Sequence, residues 1–462
     1  MLALFGALLA TTPAAAQQRP DQVAFRELYK ELVETNTAVS TGSCTDAAAK
    51  MAARLTAAGF KASELTQFAD PAHPKDGGLV AVLPGTDPQA KAILLLAHID
   101  VVEAKREDWT RDPFVLIEEG GYFYGRGTYD DKAQAAIFTD MLARFRKDGT
   151  KLKRTVKLAL TCGEETTWAF NGAEWLAKNK PDLIAAEFAL NEGGGGRLDK
   201  DGKPELVAFQ AGEKAVQNFR IEATNPGGHS SRPRPDNAIY DLADALEKVR
   251  AYRFPVRLND ATRAFLGNAA KMRGGEAGAA MTALLANPQD KDADALLSKD
   301  PDFYTMLRTT CVATLLDGGH ANNALPQRAG ANINCRVIPG ESYDTTQAAL
   351  VAAIANPAIK LTRVPPDRPV APPVTLTAAV TGPAETLARK YFPGVRFTPT
   401  MLPGGTDAVY IAPVGIPVYG VPGLMIDPDG NGIHGLNERI RVSVLYKGRD
   451  YLTDLVKAYA AR

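Results

Sequence analysis

The chain has 462 residues, in which 53 Lys plus Arg are balanced by 53 Asp plus Glu. One hydrophobic core stops growing at roughly 250–300 residues, so this length implies two domains. Zero net charge removes the cationic excess that nucleic acid or an anionic membrane surface demands, leaving a small molecule or peptide as the expected partner.

In residues 1–18, an apolar run at 2–10 precedes Thr-Thr-Pro-Ala-Ala-Ala and a polar Gln-Gln-Arg. This reads as a secretory signal cleaved near Ala16, placing the mature protein in the periplasm or outside the cell, although no Lys or Arg precedes the apolar run. No later run approaches the 20 or so apolar residues of a bilayer span, so no stable membrane span is expected. Apolar, β-rich runs at 92–97 and 156–160 then alternate with helical patterns at 133–146 and 171–178. That alternation predicts an α/β fold with a mostly parallel sheet covered by helices. Functional groups in such sheets gather beyond the carboxyl ends of the strands. Here polar sequences follow the apolar runs directly, at 98–100, 162–165 and 191–196, so three strand ends are expected to converge.

From residue 215 the pattern changes to a strand (216–223), a helix (237–249), a polar helical stretch, strands at 311–316 and 331–337, and a helix near 345–355. This predicts a smaller α+β module inserted into the first domain. After the proline-rich stretch 365–373 the first pattern resumes and ends in a helix at 443–460. The division expected is a signal at 1–18, the main domain at 22–213 and 370–462, and the inserted module at 214–369.

Cys44, Cys162, Cys311 and Cys335 include no Cys-x-x-Cys pair, which argues against a thiolate zinc site and a disulfide-built scaffold. Cys311 and Cys335 are candidates for one bridge in an oxidising compartment; four buried thiols is the alternative. Of five histidines, His98 stands in His-Ile-Asp at a strand end and His434 in the Gly-rich Asn-Gly-Ile-His-Gly. Imidazole is a common zinc ligand, and Asp100 stands where it could orient the His98 ring; a structural histidine is the alternative. Asp130-Asp131 opens a helix, where an N-cap is the competing explanation. Glu164-Glu165 and Glu192 each follow an apolar run, against the alternative of solvated loops. Together, two histidines and several carboxylates suit two metal ions roughly 3.5–4 Å apart, with a carboxylate taking a proton from an activated water.

These motifs resemble the zinc metallopeptidase family that contains aminoacylase-1, glutamate carboxypeptidase, acetylornithine deacetylase and carboxypeptidase S. The resemblance implies a catalytic domain binding two zinc ions, with cobalt or manganese as substitutes, interrupted by a lid or dimerisation domain. It implies Asp130 as the bridging ligand, His98 and Glu192 on one zinc, Glu165 and His434 on the other, Glu164 as general base and Asp100 as orienting acid. Gly227-Gly228-His229-Ser230-Ser231 resembles the segment whose histidine stabilises the oxyanion, often in a neighbouring subunit, so a homodimer through the lid is expected. Asn323, with His320 nearby, resembles a substrate-contacting lid segment, and Gly405 a glycine lying against substrate. Arg336 is a candidate for a substrate carboxylate, with a structural salt bridge as the alternative; Asn334 departs from the acid often found two residues earlier. His73 has no motif and is read as surface.

By the same resemblance, glutamate at position 192 implies cleavage of an amide or peptide bond next to a free carboxylate, as a carboxypeptidase or N-acyl amino-acid hydrolase. An aminopeptidase or dipeptidase of the same family is the second reading, and a metal-dependent binding protein without catalysis the third. A cysteine hydrolase built on Cys162 lacks a histidine in its motif.

Overall fold

The computed structural model describes residues 19–166, 170–421 and 423–462. The signal read at 1–18 lies outside the described residues. Among the described residues the larger sheet has ten strands. Its centre is parallel and runs Val156–Thr161, Ile93–His98, Phe188–Asn191 and Val418–Gly420. The antiparallel strands Leu65–Asp70 and His73–Leu83 extend one side. On the other, Pro204–Glu213 pairs antiparallel with Val418–Gly420 and parallel with Arg396–Leu402.

Ile93–His98 reads Ile-Leu-Leu-Leu-Ala-His and is buried throughout, as a parallel strand covered on both faces must be. Its alternation divides two cores. Ile93, Leu95 and Ala97 join the helices Pro20–Glu34, Cys44–Ala57, Lys132–Lys147 and Val442–Ala460; Leu94 and Leu96 join Gly172–Asn179 and Ala408–Ile411 on the other face. The order of the central strands brings the segments after residues 98, 161 and 191 side by side, the convergence expected from sequence.

The chain leaves this sheet at Lys214 and builds a second, wholly antiparallel one in the order Thr310–Gly318, Arg328–Val337, Ala215–Thr224, Ile359–Val364. Helices Ala238–Ala251 and Tyr343–Ile354 cover one face through a core that includes Phe219, Ile221, Ile333 and Leu350. Thr310–Gly318 is an open edge with Val312, Leu315 and Leu316 exposed. The stretch read as polar and helical forms four helices between Asp260 and Leu307 with their own core, including Leu266, Met281, Leu284 and Phe303. These lean back on the large sheet, where Asn268 donates to Thr398 and the Leu376 amide donates to Asp260.

All four cysteines are bridged, Cys44 to Cys162 and Cys311 to Cys335. The alternative of four buried thiols does not hold. The first bridge joins residues 118 positions apart, a pairing with no local signature. None of the helices among the described residues is long and apolar enough to cross a membrane.

Candidate metal centre

His98 ends the central strand Ile93–His98; Glu164 and Glu165 follow Val156–Thr161, and Glu192 follows Phe188–Asn191. Asp130 arrives just before the helix Lys132–Lys147, and His434 just after the turn Gly430–Gly432. The two oxygens of Asp130 face different imidazoles: Oδ1 lies 3.2 Å from His98 Nε2, Oδ2 3.1 Å from His434 Nε2. Glu192 stands 3.5 Å from His98 Nε2, and Glu165 3.0 Å from His434 Nε2. Two imidazole–carboxylate groups thus share one central carboxylate.

Asp100 fixes the loop of acids by accepting from the amides of Glu164 and Glu165 at 3.3 and 3.0 Å, and its own carbonyl meets His98 Nδ1 at 3.1 Å. The loop's entry demands glycine: Gly163 has φ of +89°, and a Cβ there would fall 1.8 Å from the Phe170 carbonyl oxygen. His434 also sits at positive φ, 56°, a conformation that persists in a non-glycine residue where surrounding structure over-determines it. Asp131 occupies the N-cap position of its helix, yet its side chain makes no capping bond.

The electrostatics are those of crowded, buried carboxylates. Burial pushes Glu164 well above the usual carboxylate range, with Asp407, Glu165 and Asp100 adding to the effect against His98. Burial likewise raises Glu192, with Asp130 and Glu164 beside it. Burial opposes the charged form of His98, but Glu192, Asp100 and Asp130 outweigh it and hold the imidazole up. The carboxylates of Asp130 and then Glu165, which face its Nε2, raise His434 to about 10. Such a cluster is mutually repulsive without cations. The donor set fits divalent metal: ligand atoms of His98, Asp130 and Glu165 all lie within 4.8 Å of one another, as do those of His98, Glu164 and Glu192. Glu165 Oε1, buried and 3.0 Å from an imidazole nitrogen, makes no hydrogen bond. Converging lone pairs with an orphaned oxygen among them are what a metal would satisfy.

Several supporting residues were missed in the sequence. Glu438, fully buried, accepts from Arg126 at 2.8 Å and from the amides of Gly127, Tyr129 and Asp130 at 2.9, 2.8 and 3.1 Å. It holds the turn carrying Asp130. Asp407 accepts from Thr161 and Asn171, both at 2.7 Å, and Glu213 from the Thr406 amide and hydroxyl at 3.1 and 2.8 Å. An acid at such a position carries no local mark of this work.

The remaining sequence candidates lie elsewhere. His229 is exposed on the smaller module, where its Nδ1 meets the Ser231 amide and hydroxyl at 3.1 and 2.8 Å. The Asn323 carbonyl accepts from the Ser230 amide at 3.0 Å, so those two segments pair with each other. Arg336 is half-buried on Arg328–Val337. Gly405 lies against the hinge, where a Cβ would meet the Lys214 carbonyl at 3.6 Å.

The model of peptidase family M20/M25/M40 matches residues 94–458. The chain belongs to that family. It is therefore a metallopeptidase or amidohydrolase of that family. Among curated relatives it is 27% identical over 384 residues to the probable carboxypeptidase S-like 2 of Dictyostelium discoideum, covering 81% of this chain and 72% of that one. It is 26% identical over 397 residues to mouse (Mus musculus) aminoacylase-1, covering 83% and 84%. The fold matches an M20 family metallo-carboxypeptidase from Sulfolobus solfataricus with a TM-score of 0.66 at 19% identity, over 96% of this chain and all (100%) of the other.

Proposed function

We propose that this chain hydrolyses an amide or peptide bond next to a free carboxylate, as a carboxypeptidase or N-acyl amino-acid hydrolase, with Glu164 as general base. The observation that carries this reading is the placement of Glu164 within ligand distance of the His98 and Glu192 donor atoms, in surroundings that raise its proton affinity. A base whose pKa approaches the working pH can both accept and return a proton. His98, Asp130 and Glu192 would hold one metal ion and Asp130, Glu165 and His434 the other. Two zinc ions so held would polarise the substrate carbonyl and lower the pKa of a bound water toward neutrality. Glu164 takes one proton from the attacking water as its oxygen bonds to the carbonyl carbon. It then delivers that proton to the amide nitrogen as the C–N bond breaks, giving a carboxylic acid and an amine. Beside Asp130 and Glu192, a pocket of about 200 Å³ walled by Tyr129, Leu402, Leu424 and Ile426 suits an apolar acyl group or side chain.

The smaller module is assigned as a lid. Its open edge Thr310–Gly318, with exposed Val312, Leu315 and Leu316, is the surface through which a homodimer would form, bringing His229 and Asn323 toward a partner's site. Analytical ultracentrifugation tests this; a monomer at all concentrations overturns it. Two disulfides support an exported, periplasmic or secreted, mature chain.

The deciding assay compares N-acyl amino acids and blocked dipeptides with free-amino peptides, for zinc-loaded wild type and Glu164→Gln. Cleavage confined to substrates with a free carboxylate and lost in the variant is expected. A requirement for a free amine moves the chain to the aminopeptidase or dipeptidase reading, and no turnover by metal-loaded protein to the binding-protein reading.

A further inference from the structure

The chain crosses from the large sheet to the smaller module at Glu213 and Lys214, beside the loop that follows Arg396–Leu402. Leu402 pairs in register with Glu213, and the Lys214 amide donates to the Leu402 carbonyl at 3.0 Å. The next turn carries Thr406 and Asp407. Glu213 accepts from the Thr406 amide and hydroxyl. Its other attachment is Gln210, whose Nε2 donates to it at 3.2 Å and whose Oε1 accepts from the Gly194 amide at 2.8 Å.

From that turn two consecutive residues reach two different strand ends. The Thr406 hydroxyl accepts from Asn191 Nδ2 at 3.0 Å, and Asn191 immediately precedes Glu192. Asp407 accepts from Thr161, the last residue of Val156–Thr161, and from Asn171. The same Asn171 nitrogen donates at 3.1 Å to the carbonyl of Gly163, the residue before Glu164. One turn therefore holds the backbone leading into Glu192 and the backbone leading into Glu164 and Glu165, and Glu213 holds the turn. Glu213, Thr406, Asp407, Asn191, Gln210 and Thr161 are all buried. Among the described residues neither Glu213 nor Asp407 has an ion-pair partner; only neutral donors satisfy them. Taking carboxyl groups out of water without a counter-ion is costly, and apolar side chains of similar volume would hold a fold at least as well. Directional hydrogen bonds do what apolar packing does not: they keep neighbouring strand ends within the roughly 0.5 Å that a functional constellation tolerates.

We propose that Glu213 is a positioning residue for the hydrolysis, coupling the hinge of the inserted module, through the Thr406-Asp407 turn, to the strand ends that carry Glu164, Glu165 and Glu192. This rests on the reading of Glu165 and Glu192 as metal ligands and Glu164 as general base. Glu213 acts through other residues and not on the reacting atoms. A swing of the module about residues 213–214 pulls on the same turn, so movement of the module and the setting of both strand ends are one event.

The test uses the full chain as wild type, Glu213→Gln, Thr406→Val, Thr406→Ser and the double variant Glu213→Gln/Thr406→Val. Zinc is titrated into each folded protein, and kcat and KM are measured for an N-acyl amino acid. Losing a hydrogen-bond partner outside the ligand set lowers metal affinity or activity by roughly 10- to 100-fold. Glu213 and Thr406 act at one further remove, so the lower end, roughly 10-fold, is expected in zinc affinity and in kcat, with KM near wild type. Thr406→Ser keeps the hydroxyl and should keep both. Because the two residues act as one unit, the double variant should lose about as much as either single one and not their product. A wild type that does not bind two zinc ions overturns the metal-centre reading. Where wild type binds both, a folded Thr406→Val with a lower thermal midpoint but unchanged zinc affinity makes the turn merely structural and overturns the coupling alone. Losses that multiply in the double variant also overturn it, and Glu213→Gln decides by the same zinc readout if Thr406→Val does not fold.

Discussion

Glu438→Ala isolates the cost of holding Asp130, the proposed shared ligand, in place. Glu438 is 0% exposed and its Arg126 partner 2% exposed. The substitution deletes the acceptor of one guanidinium and three amide hydrogen bonds and strands a buried cation. Arg126 retains only its bond to the Gly435 carbonyl at 2.8 Å and its stacking over Trp109 at 4.9 Å. Breaking a buried ion pair by removing one partner costs about 3–5 kcal/mol; the orphaned amides of Gly127, Tyr129 and Asp130 put the expected loss at the upper end. Urea denaturation of metal-free protein should show that loss as a lower midpoint with an unchanged slope. Metal-binding titration of the folded variant should show weakened affinity, because the Asp130 amide has lost its anchor. A loss below about 1 kcal/mol, or unchanged metal affinity, would refute the view that Glu438 positions the 125–131 turn.

Further outcomes follow from other buried groups. Burial first, then Arg336 and Arg308, lower Lys214 to about 7. The folded state therefore carries the cost of a buried cation below pH 7 and is relieved of it as pH rises from there toward the ordinary lysine value of 10.5. Lys214→Met should stabilise the protein by roughly 3 kcal/mol at pH 6, with the gain fading near pH 10 in thermal melts; a gain independent of pH contradicts this. Replacing Cys44 and Cys162 by alanine should cost more than replacing Cys311 and Cys335, roughly 5 against 3 kcal/mol by chain entropy, since the closed loops span 118 and 24 positions. Denaturation midpoints in the reverse order would disprove that ranking. Chelation should lower the thermal midpoint by removing the cations between Asp130, Glu165 and Glu192, and added zinc should restore it. Asp130→Asn should lose most of the restoration, and an Asp130→Asn protein with the full zinc shift would remove Asp130 from the centre.

The sheet and the convergence of three strand ends were legible because buried parallel strands are continuous apolar runs and the acids follow them directly, as in 93–98 and 188–192. The two histidines stood out by scarcity. The residues that hold the ligands in position were not legible. Glu438 meets Arg126 across 312 positions, and Asp407 meets Thr161 across 246. Such pairs carry no periodicity, cap or turn signal. The Cys44–Cys162 bridge escaped for the same reason, whereas Cys311 and Cys335, opposite one another on adjacent strands, lay close enough in sequence to be suspected.

Strand Val418–Gly420 slots between Phe188–Asn191 and Pro204–Glu213, so the large sheet is completed only after the inserted module has been made. The turn bearing Asp130 waits for a carboxylate made 312 positions after Arg126, an interval of roughly 15–60 s at about 5–20 residues per second of translation. A nascent chain that has not reached residue 418 holds His98, Asp130, Glu164, Glu165 and Glu192 but neither His434 nor Glu438, and its central sheet has an unfilled gap. A polypeptide truncated before residue 434 therefore lacks both His434 and the carboxylate that anchors the Asp130 turn, and cannot bring the two imidazoles to one carboxylate.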